Sequence, residues 1–366
     1  LIKRIPNWLQ DGFLDAKDFL RDSTQYHQDT NIFNLYSVFS DSEPKKSGSR
    51  TPSLGLIPEI TSIISSQKLH KTDNTNPSLL LPDPQQTNYE ILNLERYEIE
   101  RKLGAGGMGE VYLATDKSLK RRVALKVLNT RIGDSKELAI RFQREAIATA
   151  NLHHPNIVQV YDFLTNGGRA VLVTEFIEGL TLEDLLKRKG IFSIVDTVQI
   201  ALTVAEALEA AHNIGIIHRD IKPSNIMINT AGDIKLLDFG IAKLQDTTSE
   251  AITQVGTIVG TPAYISPEQI EAENKVDIRS DLYSLGAVMY RMLTGSNYFG
   301  EETSTPGIIY KVMQLKPSPP SDKRPEIPIQ LDKITLKLLE KNRNNRFSTA
   351  GDLIKELKHF SATELK

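Results

Sequence analysis

The segment HRDIKPSNIMINTAGDIKLLDFG, residues 218–240, places three polar side chains at a spacing that guides the interpretation of the whole chain. Asp220 is followed five positions later by Asn225 and thirteen positions after that by Asp238. Between the last two, short apolar runs on either side of a turn at residues 230–233 predict a β-hairpin. Because the two ends of a hairpin lie side by side, we expect the three side chains to converge.

These side chains suit a hydroxyl nucleophile and a metal-bound triphosphate. Asn225 and Asp238 offer oxygen atoms, which Mg²⁺ prefers as ligands. Asp220 could accept a hydrogen bond from a hydroxyl, and an ordinary aspartate pKa of about 3.9 favours orientation with late proton transfer. Lys222 could contact the transferring phosphate. The alternative is a purely structural network of loop residues, which the hairpin spacing disfavours.

The composition is that of a globular protein with two or three hydrophobic cores. The chain has 366 residues, 40% hydrophobic and 25% charged, with a net charge of −2, so nothing indicates binding to nucleic acid or to an anionic membrane. The absence of cysteine excludes disulfides, thiolate nucleophiles and Cys-ligated zinc. No apolar run approaches the roughly 20 residues that span a bilayer. Leu rather than Met at position 1 indicates a fragment, an expression product or a non-standard start. A membrane anchor outside this segment is therefore not ruled out.

The first 96 residues differ in composition from the rest. Residues 1–38 carry apolar side chains at helical spacing, which predicts a short amphipathic helix. This helix could pack on the neighbouring domain or serve as a docking or regulatory segment. Residues 39–96 are rich in Ser, Thr, Asn, Pro and Gln, which predicts a largely disordered linker.

A glycine-rich run, residues 104–109, lies between two segments of alternating apolar residues. A dinucleotide-binding fold would need a helix directly after the glycines, whereas Val111 and Leu113 continue the alternation of a strand. The pattern therefore predicts a strand–glycine–strand hairpin that can lie over phosphates, because glycine lets backbone amides approach them closely.

The next apolar strand, residues 122–128, is interrupted only by Lys126. A lysine among apolar residues is costly unless it is paired, so we expect it to point at a phosphate and to contact a carboxylate. A snorkelling surface lysine is the alternative. A helix is predicted over residues 135–151, and Glu145 lies beside its apolar stripe, where it could meet Lys126. His153 and His154 follow this helix, but adjacent residues face different directions and no third ligand stands nearby, which disfavours a metal site.

The second half of the chain reads as mainly helical. A capping box at residues 181–184 predicts one helix start, and residues 194–214 have the spacing of a long core helix. Residues 281–290 are apolar nearly all round, which predicts a buried helix with Asp281 bonded to the backbone near Arg219. A final amphipathic helix is expected near residues 350–360.

Taken in order, these motifs resemble the eukaryotic-like Ser/Thr protein kinases, especially the bacterial branch. The matching residues are Gly104–Gly109, Val123–Lys126, Glu145, His218–Asp220 with Lys222 and Asn225, Asp238–Gly240, and Ser266–Glu268. The resemblance extends over residues 97–360. It implies an α+β fold of two lobes, a small and mostly antiparallel β lobe with one helix (97–174) and a larger, mostly helical lobe (180–360), joined by a hinge at 175–179.

The resemblance also implies a role for each motif residue. Asp220 would be the catalytic aspartate, assisted by Lys222, while Lys126 would bind ATP phosphates and pair with Glu145. Asn225 and Asp238 would hold Mg²⁺, with Mn²⁺ as an alternative. The residues implied to contact ATP are Leu103, Gly104, Ala105, Gly106, Gly107, Met108, Gly109, Val111, Ala124, Lys126, Glu175 and Ile177. Glu175 and Ile177 would bind adenine through backbone groups.

Threonines crowd the segment between the Asp-Phe-Gly motif and Ser266. Arg219 precedes the catalytic aspartate, and a phosphothreonine gains charge-assisted hydrogen bonds from arginine. We therefore predict autophosphorylation at Thr253 and Thr257. The resemblance implies that Thr261 is instead a fixed contact of the catalytic residues.

The sequence predicts an ATP- and Mg²⁺-dependent kinase that phosphorylates Ser and Thr hydroxyls of proteins in the cytoplasm. The alternative is a pseudokinase or scaffold that binds nucleotide without transfer. A small-molecule phosphotransferase is disfavoured by the Ser266–Glu268 motif and the threonine-rich segment. Expected partners are protein substrates and a transient homodimer, with no nucleic acid and no membrane segment in this chain.

Overall fold

The computed structural model describes residues 94–106, 109–131, 146–147, 149–166, 168–239, 262–271 and 276–365. The predictions for residues 1–38 lie outside this part of the chain, as does nearly all of the predicted linker. Within the described residues, no helix is long and apolar enough to cross a membrane.

The first lobe is built on a five-stranded antiparallel sheet. Its strands are β1 (Tyr97–Gly106), β2 (Gly109–Asp116), β3 (Arg121–Arg131), β4 (Val160–Asn166) and β5 (Arg169–Glu175), in the order β1-β2-β3-β5-β4. Successive side chains of a strand face opposite sides of the sheet. On β3 this places Val123, Leu125 and Val127 in the core, and Ala124 and Lys126 on the other face.

The glycine-rich run forms the predicted hairpin. Gly106 at the end of β1 pairs with Gly109 at the start of β2, so the glycine-rich run is followed directly by a strand and not by a helix. Gly109 has a φ of 153°, and a Cβ there would lie 2.1 Å from the carbonyl oxygen of Val127. Only glycine fits this position, because any side chain would collide with the backbone of β3.

The second lobe combines seven helices, among the described residues, with a small three-stranded sheet. The helices are α1 (Leu182–Lys189), α2 (Ile194–His212), α3 (Pro267–Ile270), α4 (Ile278–Thr294), α5 (Thr305–Gln314), α6 (Ile329–Leu338) and α7 (Ala350–Glu364). The sheet contains β6 (Gly179–Thr181), β7 (Ile226–Asn229) and β8 (Ile234–Leu236), in sequence order. The predicted hairpin of residues 226–237 is therefore confirmed as β7–β8.

Helix α4 is the central helix of this lobe. Thirteen of its residues, including Asp281, are buried, which confirms the prediction from its apolar sequence. Gly286 lets it approach α6 closely, since a Cβ there would lie 2.5 Å from the Cβ of Leu338. The capping box at the start of α1 is also confirmed, with Thr181 and Asp184 bonding each other's backbone amides.

The two sheets are connected through a short segment before β4. The amide of Val158 donates to the carbonyl of Leu236 at 2.9 Å, and the amide of Leu236 donates to the carbonyl of Asn156 at 2.7 Å. The predicted helix before this segment is described only at residues 146, 147, 149 and 150, all of which are helical. The overall architecture is the predicted α+β fold.

Candidate active site

Asp281 holds the loop that carries Asp220 through hydrogen bonds to its backbone. The Asp281 carboxylate is fully buried and accepts the backbone amides of His218 at 2.8 Å and Arg219 at 2.7 Å. It also contacts Nε2 of His212 at 2.9 Å. Arg219 has a φ of 64°, an uncommon conformation for a residue with a side chain. The predicted contact of Asp281 with this backbone is confirmed, and it stabilises the turn that presents Asp220.

Asp220 contacts two of the other predicted site residues, Lys222 and Asn225. Its Oδ2 atom accepts from Nζ of Lys222 at 2.8 Å and from Nδ2 of Asn225 at 3.0 Å. The same Asn225 nitrogen donates to the backbone carbonyl of Asp220 at 2.8 Å. Asp220 is 8% exposed and Asn225 6%, so the rotamers of both side chains are restricted by packing. The three residues form one polar cluster with a fixed carboxylate orientation.

His218 connects this cluster to the segment before Asp238. Its Nε2 donates to the carbonyl of Leu237 at 2.8 Å, and its Nδ1 accepts the amide of Asp220 at 3.3 Å. Its ring packs against Phe239, with centroids 4.6 Å apart. Burial lowers the pKa of His218, so the imidazole is neutral at physiological pH. One nitrogen then donates and the other accepts, as the two contacts require.

Lys126 contacts Asp238 across the boundary between the lobes. The Nζ of Lys126 lies 2.9 Å from Oδ1 of Asp238. Asp238 has a φ of 49°, a second uncommon backbone conformation in the site. The predicted partner of Lys126, Glu145, lies outside the described residues. The partner that the structure gives Lys126 is thus Asp238, which the resemblance implied as a metal ligand.

The donor atoms at Asn225 and Asp238 fit a hard cation. The amide nitrogen of Asn225 is bonded to Asp220, which leaves its side-chain oxygen available. Asp238 contributes a carboxylate whose Oδ1 atom lies 2.9 Å from Nζ of Lys126. The amide of Leu237 donates to the backbone carbonyl of Asn225 at 2.8 Å, so the residue before Asp238 lies beside Asn225. In the described part of the chain no group of three His, Asp or Glu side chains gathers as a metal site. Two ligands suit Mg²⁺, which usually completes its shell with phosphates and water.

The residues predicted to contact ATP lie on the first sheet and at its exit. Leu103, Gly104, Ala105 and Gly106 are exposed at the end of β1, and Val111 and Ala124 are half-buried on β2 and β3. Val111 pairs with Lys126, and Ala124 pairs with Thr174. Gly107 and Met108 lie outside the described residues.

At the predicted hinge, the amide of Glu175 donates a hydrogen bond to the carbonyl of Gln159 at 2.8 Å. Ile177 is buried and belongs to no strand, and none of the backbone hydrogen bonds among the described residues involves its amide. The Glu175 carbonyl accepts from the Thr174 hydroxyl at 3.3 Å, and a carbonyl oxygen has a second lone pair to offer. A carbonyl at Glu175 and an amide at Ile177 are the kinds of group that an adenine edge requires.

The Ser266–Glu268 motif is held to the second lobe by a buried ion pair. Nη1 and Nη2 of Arg346 donate to the two carboxylate oxygens of Glu268 at 2.7 and 2.9 Å, and Ser280 donates to it at 2.6 Å. Burial alone would raise the pKa of Glu268, but the hydrogen bonds from Arg346 and Ser280 lower it. Arg346 thus balances the charge of the buried Glu268 carboxylate. Next to it, Gln269 donates to the carbonyl of Arg219 at 2.9 Å, joining this motif to the Asp220 loop.

A comparison with protein-family models matches residues 97–359 to the protein kinase domain. The chain belongs to the protein kinase family. This confirms the resemblance that the motifs predicted, and membership implies ATP and a divalent metal ion as cofactors.

Several bacterial proteins are similar to this kinase domain. "Serine/threonine-protein kinase PknB" of Mycolicibacterium smegmatis is 41% identical over 267 residues, which cover 72% of this chain and 42% of that protein. "Probable serine/threonine-protein kinase PknB" of Bifidobacterium longum is 41% identical over 266 residues, 70% of this chain and 38% of that protein. The chain thus spans about two fifths of the length of these relatives.

Among solved structures, a point mutant of the PknI kinase domain of Mycobacterium tuberculosis superimposes with a TM-score of 0.59 at 26% identity. The match covers 74% of this chain and 97% of that one. These comparisons support the two-lobed fold, and none of them favours a pseudokinase.

Two features of this kinase domain were missed by the sequence predictions. One is the role of His218 as a neutral bridge between the Asp220 loop and Leu237. Its sequence signal is its place two positions before Asp220. The other is an ion pair between Lys235 and Glu175, for which the sequence offers no signal. The predicted phosphosites Thr253 and Thr257, and Thr261, lie outside the described residues.

Proposed function

We propose that this chain is an ATP-dependent protein kinase that transfers the γ-phosphoryl group to Ser and Thr hydroxyls of proteins. The observation that carries this proposal is the cluster in which Lys222 and Asn225 fix the carboxylate of Asp220 at 2.8 and 3.0 Å. A fixed carboxylate beside a lysine is what an incoming hydroxyl and a transferring phosphoryl group need. The kinase domain is proposed to cover residues 97–360, with its hinge at 175–179.

Phosphoryl transfer passes through a loose transition state, so the protein's contribution is positioning and charge neutralisation. In the proposed reaction Asp220 accepts the hydrogen bond of the acceptor hydroxyl and turns its oxygen toward the γ-phosphorus. The oxygen–phosphorus bond to the acceptor forms as the bond to the β-phosphate oxygen breaks, and the hydroxyl proton moves to Asp220. Lys222, 2.8 Å from Asp220, neutralises charge on the transferring group.

Lys126 and the glycine hairpin would hold the phosphates from the side of the first lobe. Backbone amides of the glycine-rich run would donate to the phosphates, and Lys126 would supply a positive charge. Glu145 is proposed to orient Lys126 when nucleotide is bound. Adenine would lie between Val111, Ala124 and the hinge groups of Glu175 and Ile177.

Asn225 and Asp238 are proposed to hold Mg²⁺ or, as an alternative, Mn²⁺. When bound, the ion supplies neutralisation of the phosphate charge. The proposed location of this reaction is the cytoplasm, where ATP is available. Proposed partners are protein substrates with Ser or Thr acceptors and, during autophosphorylation, a second copy of the chain.

The test is a phosphorylation assay combined with a nucleotide-binding measurement. Purified protein is incubated with radiolabelled ATP, Mg²⁺ and a generic acceptor such as casein or myelin basic protein, and ATP binding is measured by calorimetry. Binding with transfer to Ser and Thr supports the proposal. Binding without transfer, even at high enzyme concentration, would identify a nucleotide-binding scaffold instead.

A further inference from the structure

An ion pair joins the hinge to the strand that leads into Asp238. The Nζ of Lys235, in β8, donates to both carboxylate oxygens of Glu175 at 2.9 Å. The two side chains are mostly buried, with exposed fractions of 16% for Lys235 and 26% for Glu175. A pair at this depth is screened less by water and salt than a pair on the surface.

Gln159 holds Glu175 from a second direction. The amide of Glu175 donates to the carbonyl of Gln159 at 2.8 Å, and the amide of Gln159 donates back to the Glu175 carboxylate at 3.3 Å. Gln159 is itself fixed, because its side-chain amide donates to the carbonyls of Ala150 at 3.1 Å and Val160 at 3.0 Å. The amide and the carboxylate of Glu175 are therefore both constrained.

Strand β8, which carries Lys235, does not depend on the ion pair for its own position. Leu236 exchanges backbone hydrogen bonds with Asn156 at 2.7 Å and Val158 at 2.9 Å. The side chain of Asn156 also donates to the carbonyl of Ile234 at 2.9 Å. These bonds keep the strand, and hence the entry to Asp238, in place when the lysine is replaced.

We propose that Lys235 is a positioning residue for the adenine end of the nucleotide, acting through Glu175. The inference rests on the proposed function, in which the backbone carbonyl of Glu175 accepts a hydrogen bond from adenine. Lys235 fixes the Glu175 side chain, Gln159 accepts its amide, and the Thr174 hydroxyl donates to its carbonyl at 3.3 Å. Together these contacts narrow the orientations open to that carbonyl. A preorganised acceptor binds more tightly because less freedom is lost on binding.

The proposal assigns the lysine to affinity and not to the chemical step. Lys235 contacts Glu175, whereas the groups proposed to act on phosphate, Lys126, Lys222 and Asp238, are held by separate contacts. The loss of Lys235 should therefore weaken the binding of any ligand that carries adenine, whether or not it carries phosphates.

The experiment compares Lys235→Met, Lys235→Arg and Lys358→Met with the unchanged chain. Lys358 is the matched control, because its Nζ also lies 2.9 Å from a carboxylate, that of Glu206, in an exposed pair on two helices of the second lobe. For Lys235→Met, the KM for ATP and the inhibition constant of adenosine should both rise, by about five- to tenfold, with kcat within about twofold. Lys235→Arg, which keeps the charge, should recover most of the affinity, and Lys358→Met should change neither constant.

Thermal unfolding of each variant establishes that it is folded at the assay temperature. Should Lys235→Met prove unstable, Lys235→Gln, which also removes the charge, keeps the test available. An unchanged KM in Lys235→Met would overturn the proposal. So would a raised kcat at unchanged KM, because the ion pair would then restrain lobe motion. A loss of ATP affinity without a loss of adenosine affinity would assign Lys235 to the phosphates. If the unchanged chain bound no ATP, the proposed function itself would fail.

Discussion

The imidazole of His218 donates to the carbonyl of Leu237 at 2.8 Å and so ties the loop of the catalytic candidate Asp220 to the segment that ends in Asp238. The other imidazole nitrogen accepts the amide of Asp220 at 3.3 Å. Protonation of Nδ1 would remove its contact with the Asp220 amide, while Nε2 would still donate to the Leu237 carbonyl. The protonation state of this buried imidazole therefore affects how the backbone beside Asp220 is held.

The first prediction concerns acid pH. Burial lowers the pKa of His218 from its ordinary value of 6.5, so below that pH the unfolded chain binds a proton that the folded chain does not. The free energy of unfolding should therefore fall as pH drops through about 6.5, since the unfolded state holds more protons. Thermal unfolding from about pH 7.5 to about pH 5.5 should show a larger decrease in Tm for the unchanged protein than for His218→Phe. Equal slopes in the two proteins would show that another group carries the acid sensitivity.

The second prediction concerns Asp220. Asp220→Asn keeps the size of the side chain but removes the charge that orients the acceptor hydroxyl and receives its proton. Transfer to casein should fall by roughly 10²–10⁴-fold, the usual size of a general acid–base contribution. ATP affinity should stay within about twofold, because Asp220 is not among the residues proposed to contact the nucleotide. Activity near the level of the unchanged protein would show that Asp220 does not have the proposed role.

The third prediction concerns the metal. Chelation with EDTA should abolish transfer, and added Mg²⁺ or Mn²⁺ should restore it, because phosphate charge is otherwise unneutralised. Asp238→Asn should need a several-fold higher metal concentration for half-maximal rate, since it exchanges an ionic ligand for a neutral one. The titration also identifies which of the two ions supports the faster reaction. Full activity in EDTA would contradict the assignment of Asn225 and Asp238.

The fourth prediction concerns the buried pair of Glu268 and Arg346, whose side chains are 8% and 0% exposed. Arg346→Met leaves the Glu268 carboxylate buried without its main partner and should lower the free energy of unfolding by about 3–5 kcal/mol. Lys358→Met, which breaks an exposed pair, should cost about 1 kcal/mol or less. Urea denaturation measures both. Similar losses in the two variants would mean that burial of the Glu268 pair does not determine its contribution.

The same pair has a signed pH dependence. The pKa of Glu268 is lower in the folded protein than its ordinary value of 4.5. Its contribution to stability is therefore complete above about 4.5 and is lost as pH falls through the lower folded-state value. Acid unfolding followed by circular dichroism should show this loss in the unchanged protein and a smaller one in Glu268→Gln.

Much of the fold was predictable from the sequence because its cues are local. Alternation along residues 97–128 indicates strands, and the apolar circumference of residues 281–290 indicates a buried helix. Burial also predicts that some polar side chains have partners, although it does not select them. A carboxylate such as Asp281 at the start of an apolar helix must find backbone donors, and the structure places it on the amides of His218 and Arg219.

The contacts of Lys126 and Lys235 could not be predicted in the same way. Lys126 lies in the first sheet and its partner Asp238 follows the second, while Lys235 and Glu175 are 60 positions apart. Each pair depends on how elements distant in sequence pack together. The sequence pattern around each lysine does not distinguish among the several carboxylates near the cleft. Positive charge in an apolar strand predicts that a partner exists, but the packing of the lobes selects it.

The last prediction concerns the threonine-rich segment, for which the sequence alone supplies the sites. After incubation with Mg²⁺ and ATP, mass spectrometry should find phosphate on Thr253 and Thr257, and the Asp220→Asn protein should acquire none. If two copies meet during the reaction, the initial rate per molecule should rise with enzyme concentration, whereas a reaction within one copy would proceed at a constant rate per molecule. A Thr253→Ala, Thr257→Ala double variant should fold normally but transfer more slowly to casein, because the phosphates that pair with Arg219 are missing. Phosphate absent between residues 245 and 258 in the active protein would contradict both the sites and the role assigned to Arg219.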